Sequence, residues 1–199
     1  MKYVKMLGLL AVAAAAMMAF AGSASATTLT SPAGTHFAGT IEATSEGETT
    51  LHGVATITCH HSRVFGHVTD GGGDEKTVKG NITELTFTNC TNGHVTVANA
   101  GTLELHTDPE GQAANGNGIL TSTGAEVSIQ ITSLGITCVF TTNNTEVGTV
   151  TGSKNTKGTA TMDIDSVKIP RTGGSFFCGS SGEWTGSYKV ESPDYLDVD

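Results

Sequence analysis

Apolar and polar residues alternate along much of the chain that follows residue 26. In residues 126–131, Val127, Ile129 and Ile131 form one side of the alternation, and residues 160–165 repeat the pattern. Shorter alternations occur at residues 85–87, 95–97 and 103–105. Turn-forming clusters rich in Gly, Asn and Asp separate these segments, at residues 70–73, 91–93, 115–118 and 172–174. A period of two indicates β-strands, and one polar side per strand favours antiparallel sheets with one solvated face. No stretch after residue 26 is typical of an amphipathic helix.

Landmarks in residues 39–90 recur in the same order in residues 101–178. Ile57-Thr58-Cys59 matches Ile136-Thr137-Cys138, residues 66–69 match 148–151, residues 79–83 match 157–161, and Cys90 matches Cys178. Upstream, residues 39–42 match 101–104, and residues 108–117 form the junction. We therefore expect an internal repeat of one β unit. Because one copy alone is too small to bury two sheet faces well, the copies should share one core. The predicted fold class is all-β, an antiparallel β-sandwich or flattened barrel built from two similar halves.

The first 26 residues have the features of a secretory signal peptide. Lys2 and Lys5 precede an apolar run over residues 6–20, and Ala24-Ser25-Ala26 is typical of a cleavage site. The run is shorter than the roughly 20 apolar residues that cross a bilayer, which favours cleavage over a retained anchor. We expect a mature chain of residues 27–199, forming a single β-sandwich domain. The expected location is extracellular or at the cell surface.

Four cysteines, Cys59, Cys90, Cys138 and Cys178, follow the predicted signal peptide. In an exported chain an even number of cysteines predicts disulfides, here two. The sequence leaves three pairings open, and bonding within each copy of the repeat favours Cys59–Cys90 and Cys138–Cys178. Zinc is the alternative, but no pair has the C-x-x-C spacing typical of structural zinc sites.

Charge narrows the class of partner. The whole chain has a formal net charge of −9, from 10 basic and 19 acidic residues. Removing residues 1–26 takes away two lysines and leaves 8 − 19 = −11. An acidic surface of this kind repels nucleic acid and anionic lipid, so we expect neither as a partner.

Histidines supply the main chemical alternative. His60, His61 and His67 lie close together in the sequence, and imidazoles are common ligands of transition metals. Neighbouring residues of a strand point to opposite faces, so at most one of His60 and His61 can share a face with His67. Solvated surface histidines are the simpler interpretation. The acidic segment 70–75 lacks the alternating ligands of a dedicated calcium loop.

Candidate catalytic groups have simpler explanations. Residues 179–182 read Gly-Ser-Ser-Gly, but a nucleophile elbow needs glycine where Glu183 stands. Asp163 and Asp165 share one strand face, where carboxylates commonly keep a strand soluble. We assign no catalytic residue, cofactor or metal ligand, and we expect no enzyme activity.

The Leu29–Thr35 lead-in, the four cysteines, the Leu134–Cys138 segment and the Thr/Gly-rich strands resemble a known group of proteins. These are small secreted four-cysteine bacterial proteins of the alkane-oxidation activator type. The chain is also similar to uncharacterised secreted proteins of soil bacteria. The resemblance implies an exported, cysteine-paired β protein associated with surfaces, biofilm or apolar carbon sources. It implies no catalytic residue.

Together these observations predict a non-catalytic secreted or cell-surface β protein that acts by surface contact. The contact would be adhesion, matrix association or association with an apolar interface. Expected partners are an extracellular polymer, the cell surface or other copies of the chain, since strand edges can pair by β-augmentation. We expect no stable membrane insertion after cleavage. The alternative is a metal-binding extracellular protein, or a metal-dependent hydrolase, that uses the His60/His61/His67 region.

Overall fold

The computed structural model of the protein describes residues 27–32, 34–73, 77–107 and 116–199. The predicted signal peptide and its cleavage site lie outside these ranges, as do residues 74–76 of the acidic segment and residues 108–115 of the junction. In chain order the strands are β1 (Thr27–Thr30), β2 (Thr40–Ser45), β3 (Thr49–His52), β4 (Thr56–Asp70), β5 (Gly72–Gly73), β6 (Val78–Thr91), β7 (Gly93–Asn99), β8 (Thr102–His106), β9 (Asn117–Thr123), β10 (Glu126–Ile131), β11 (Ile136–Thr141), β12 (Thr145–Thr151), β13 (Thr161–Gly174), β14 (Ser181–Ser192) and β15 (Asp197–Val198). A short helix α1 (Ser153–Thr156) precedes β13, and a 3₁₀ turn (Phe176–Cys178) follows it. In these ranges no helix has the length and apolar character needed to cross a membrane.

Eight strands form a closed antiparallel barrel. Around the ring the order is β2, β4, β6, β8, β9, β12, β13 and β14, and β14 pairs with β2 to close it. Closure leaves no free edge in the ring, which removes the main aggregation hazard of a sheet. The all-β prediction is confirmed, and the barrel is the form that it takes, with further strands attached.

Four long strands extend the structure beyond the barrel. Strands β4, β6, β13 and β14 have 15, 14, 14 and 12 residues, more than an ordinary strand, and each passes from the barrel into a second layer. In that layer β3 pairs with both β4 and β14, while β11, β10 and β7 add in turn to β13. The long strands therefore fix the orientation of the second layer relative to the barrel.

The buried side chains form two clusters, not the one shared core that the sequence predicts. The barrel core contains Leu29, Ala43, Val64, Val68, Val78, Leu105, Leu120, Val147, Ala160, Ile164, Tyr188, Val190, Leu196 and Val198. The second core contains Leu51, Ile57, Cys59, Phe87, Ile129, Ile131, Cys138, Phe140, Ile169 and Cys178. Both predicted halves contribute to each cluster, as expected, but the long strands carry one apolar face through two separate interiors. Leu85, Val167 and Trp184 pack against both.

Strand pairing is similar in the two halves. In the first half, β4 pairs with β3, β2 and β6. In the second, β11 pairs with β10, β12 pairs with β9, and both pair with β13. The counterpart of β4 is thus broken into β11 and β12, beside Asn144 with its positive φ of 50°. Residues 101–104 lead into β8, which pairs with β6 and β9, so this landmark is not placed like residues 39–42. That the halves are sequence repeats stays a prediction.

Both predicted disulfides are present, Cys59–Cys90 and Cys138–Cys178. The first joins directly opposed residues of β4 and β6, and the second ties β11 to the 3₁₀ turn after β13. At the opposite end of the long strands, β1 pairs with β15 and with β5, and these strands cover that end of the barrel. There Leu29, Leu196 and Val198 are buried in the barrel core.

Candidate functional site

The long strands end together at the side of the second layer, where four connections meet. These are residues 53–55 between β3 and β4, Asn92 between β6 and β7, residues 132–135 between β10 and β11, and residues 175–180 between β13 and β14. We call this set the apolar tip. The side-chain amide of Asn92 donates to the Thr56 carbonyl at 3.2 Å. The backbone carbonyl of Asn92 accepts from the Thr132 amide at 3.1 Å. Asn92 thereby links its own connection to residues 132–135 and to the first residue of β4, which follows residues 53–55.

The fourth connection is held to the same end by β11. The Ser175 amide donates to the Thr137 carbonyl at 2.8 Å, directly after the Cys138–Gly174 pair of the β11–β13 ladder. Gly174 has a φ of +81°, and a Cβ atom there would lie 2.1 Å from the Thr137 carbonyl oxygen. Only glycine lets the chain leave β13 so close to β11.

The apolar tip contains all the large hydrophobic side chains that are exposed in the described ranges. The exposed fractions are 46% for Val54, 51% for Leu134, 77% for Phe176 and 62% for Phe177. The two phenylalanine rings lie against each other with centroids 3.9 Å apart. Exposed apolar residues scattered singly are normal on protein surfaces, but exposed apolar residues grouped at one end mark a contact surface.

The Phe176–Phe177 turn is braced from behind. Cys178, which follows the two rings, is buried and bonded to Cys138. The guanidinium of Arg171 donates to the Gly179 carbonyl at 2.6 Å and to the Ser175 carbonyl at 3.4 Å. These bonds span the turn at both ends. The rings therefore face solvent from a fixed support, which lowers the conformational entropy lost on contact.

The tip carries no charge. Its residues, 53–55, 92, 132–135 and 175–180, include no Asp, Glu, Lys, Arg or His, although the whole chain has a net charge of −9. Arg171, which supports the Phe176–Phe177 turn, is charged, but its guanidinium donates to backbone carbonyls. The tip residues themselves therefore bring no ion into an apolar phase, and the adjoining guanidinium of Arg171 keeps two carbonyl partners.

Residues of the described ranges line two apolar cavities. The larger, about 120 Å³, lies in the barrel, and no polar atom faces it. The smaller, about 60 Å³, lies between the barrel core and the second core. At about 24 cal/mol per Å³, an empty space of 120 Å³ costs about 3 kcal/mol of stability. Such a cost is large against the marginal stability of a domain.

A polar group inside the barrel core is satisfied. Tyr188 is fully buried, and its hydroxyl donates to Ser62 Oγ at 2.8 Å. Burial raises the pKa of Tyr188 above its ordinary value, because the tyrosinate would lose its hydration. Trp184 packs edge-on against Tyr188 and Phe87 and lines the smaller cavity. These aromatic contacts link the two cores.

The histidines do not converge on one another. His60, His61 and His67 are all exposed on β4, and six residues of strand separate His61 from His67, about 20 Å at ~3.3 Å per residue. His60 Nδ1 lies 3.0 Å from a carboxylate oxygen of Glu48. Among the described residues no three His, Cys, Asp or Glu side chains group as metal ligands. The geometry thus offers no support for the metal-dependent alternative.

The candidate catalytic groups have local partners. Asp163 accepts a hydrogen bond from Ser187 Oγ at 2.5 Å, and Asp165 accepts one from Ser166 Oγ at 3.1 Å. Both carboxylates are exposed on the barrel wall. The Ser180 carbonyl accepts from the Arg171 amide at 2.9 Å, in the turn that the Cys138–Cys178 disulfide supports. These contacts place the groups in a strand face and a braced turn.

The sequence alone does not reveal the apolar tip. Phe176 and Phe177 stand beside a cysteine, a position that also suits a buried core, and Val54 and Leu134 are isolated in their turns. The absence of charge from each connection is visible in the sequence, but only the strand register shows that these connections meet. Comparisons of the chain with protein-family models, curated proteins and solved structures found no match.

Proposed function

We propose that the protein is a non-catalytic secreted β protein that attaches to uncharged apolar interfaces through the apolar tip. One observation carries this proposal, the grouping of the exposed large hydrophobic side chains on uncharged connections at one end of the long strands. The two disulfides and the lack of a membrane-spanning helix in the described ranges are compatible with an extracellular protein.

The energy of attachment comes from removing the tip side chains from water. Fully burying one Phe or Leu side chain contributes about 1.5–3 kcal/mol. Phe176 and Phe177 are the most exposed of the four, so they supply most of the gain. Because Arg171 and the Cys138–Cys178 disulfide already fix the turn, little ordering cost opposes that gain.

Charge selects the kind of interface. The acidic body is repelled by anionic surfaces, and no basic side chain in the tip offsets this repulsion. Peripheral proteins that bind anionic lipid usually combine apolar residues with several basic residues. The one basic side chain that adjoins the tip residues in the contacts above, Arg171, is bonded to the Ser175 and Gly179 carbonyls. The structure therefore favours a hydrocarbon-like interface without fixed negative charge.

The test is adsorption of the purified mature protein to a hexadecane–water interface, followed by pendant-drop tensiometry. We expect Phe176→Ser with Phe177→Ser to raise the protein concentration needed for half-maximal adsorption by roughly 30–1,000-fold, since burial of the exposed parts of two rings contributes about 2–4 kcal/mol. The substituted side chains are exposed, so the melting temperature should hardly change.

Phe65→Ser is the matched control, because Phe65 is a half-buried phenylalanine on the barrel wall, beside Arg63 and away from the tip. We expect it to leave adsorption unchanged. Equal adsorption of the double tip variant and the wild type would rule out the tip as the attachment surface. An equal loss in the Phe65 variant would show general surface hydrophobicity instead.

A further inference from the structure

The larger cavity lies in the interior of the closed barrel. An eight-stranded barrel has an interior just wide enough to be filled by side chains or to hold one small ligand. Here the interior is not filled, and a cavity of about 120 Å³ remains among the side chains of the barrel core. An engineered apolar cavity of about 150 Å³ stays dry and binds benzene or xenon, so the space in the barrel is of ligand size.

Two small residues, Ala43 and Gly66, are among those that line the cavity. In the barrel part of β4 the buried positions are Ser62, Val64, Gly66 and Val68, and the last three line the cavity. On the adjacent strand β2, Ala43 pairs with Val64 and also lines the cavity. The other lining residues are mostly large, such as Leu29, Leu105 and Met162, and their packing leaves the space unfilled.

The wall beside the cavity is irregular. The β4–β6 ladder shifts register between Phe65 and Gly66 and again between Val68 and Asp70. Gly66 and Val68 both line the cavity. Register shifts interrupt the ladder hydrogen bonds and are frequent at barrel rims and beside binding sites. This segment is the natural place for a ligand to pass through the wall.

The two cavities adjoin. The residues that line both are Val64, Ile82, Leu103, Leu120 and Met162. Unbranched Met162 can change its rotamer at low cost, which suits a partition between two spaces. An alkyl ligand that fills the larger cavity could therefore extend into the smaller one.

We propose that the barrel interior is a binding site for a small uncharged hydrocarbon, of the size of benzene or a short alkyl chain. The absence of polar atoms facing the larger cavity excludes charged ligands and disfavours any ligand that buries a hydroxyl group there. The ligand gains contact with side chains that would otherwise border an empty space. This site is separate from the apolar tip and does not depend on it.

The test measures the melting temperature of the mature protein with saturating benzene, n-hexane or phenol. Binding to the folded state raises the melting temperature by mass action, so we expect increases of a few degrees with benzene and with n-hexane. Phenol at the same concentration should give a clearly smaller shift, because its hydroxyl would be buried without a partner. The proposal is wrong if neither benzene nor n-hexane raises the melting temperature.

Cavity-filling variants locate the site. Ala43→Leu replaces a methyl group that lines the cavity with an isobutyl group, and we expect it to abolish the benzene shift. If Ala43→Leu does not fold, Val68→Ile fills less of the space and should reduce the shift. Ala38→Leu, at an exposed alanine, is the control and should keep the full shift.

The double tip variant, Phe176→Ser with Phe177→Ser, should also keep the full benzene shift, which separates this site from the attachment surface. Full benzene shifts in folded Ala43→Leu and Val68→Ile would show that the hydrocarbon binds elsewhere, and the barrel site would be wrong.

Discussion

Replacing Cys138 and Cys178 together with alanine is expected to destabilise the protein by about 4 kcal/mol. The disulfide closes a loop of 40 positions, and in the chain-entropy model such a loop contributes roughly 4 kcal/mol by restricting the unfolded chain. For a chain of this length the melting temperature should fall by about 8–16 °C. Denaturant unfolding followed by circular dichroism measures the change in free energy.

The same variant should weaken attachment, because Cys178 supports the Phe176–Phe177 turn. Replacing Cys59 and Cys90 with alanine is the matched control. It opens a loop of 31 positions and should cost a similar free energy, roughly 3.5 kcal/mol, while leaving the turn braced. Stability within 1 kcal/mol of the wild type in either double variant would contradict the chain-entropy account. Equal attachment by both variants would show that the Cys138–Cys178 disulfide does not support the apolar tip in attachment.

Phe140→Ala is expected to cost about 3–5 kcal/mol, the range found for buried phenylalanine truncations. Phe140 is 5% exposed in the second core, and Gly182 leaves room for its ring. A Cβ atom at Gly182 would lie 3.0 Å from that ring, so the glycine and the phenylalanine are mutually fitted. Urea unfolding of the variant gives the free energy directly.

Phe176→Ala removes the same atoms from a side chain that is 77% exposed. It should change the free energy of unfolding by less than about 0.5 kcal/mol. A comparable loss in the two variants would mean that Phe176 is buried in solution, which would also remove the basis of the attachment surface.

Local patterns in the sequence predict the strands well, because the alternation of apolar and polar residues in a half-buried strand involves only residues that are adjacent in the sequence. Residues 126–131 and 160–165 contain β10 and the start of β13, with Ile129, Ile131 and Ile164 buried. The disulfide pairing could also be predicted, because the order of landmarks relates each pair. Closure of the barrel is not encoded locally. It depends on pairing between β14 and β2, which are separated by most of the chain.

The two cores and the candidate sites required tertiary information. A strand of ordinary length contributes to one core. The second core forms only because β4, β6, β13 and β14 extend past the barrel. Val54 and Leu134 are ordinary turn residues until the strand register places their connections at the same end of the long strands as Phe176 and Phe177. The barrel cavity is a property of packing, since it depends on how side chains from several strands meet inside the barrel.

The most direct test of the attachment mechanism is the depth of two reporter positions at an apolar interface. Trp184 is the only tryptophan, so Trp184→Phe provides a background for single reporters. Phe177→Trp places a reporter in the apolar tip. Lys154→Trp places one on exposed α1, at the other end of β13, on the order of 45 Å away. Each protein is adsorbed to droplets of 1-bromohexadecane, which quenches indole fluorescence on contact.

We expect strong quenching of the residue 177 reporter and little quenching of the residue 154 reporter, at equal amounts of adsorbed protein. This result would show that the protein meets the apolar phase with the tip and keeps the barrel end in water. Equal quenching at both positions, or stronger quenching at residue 154, would contradict attachment through the tip.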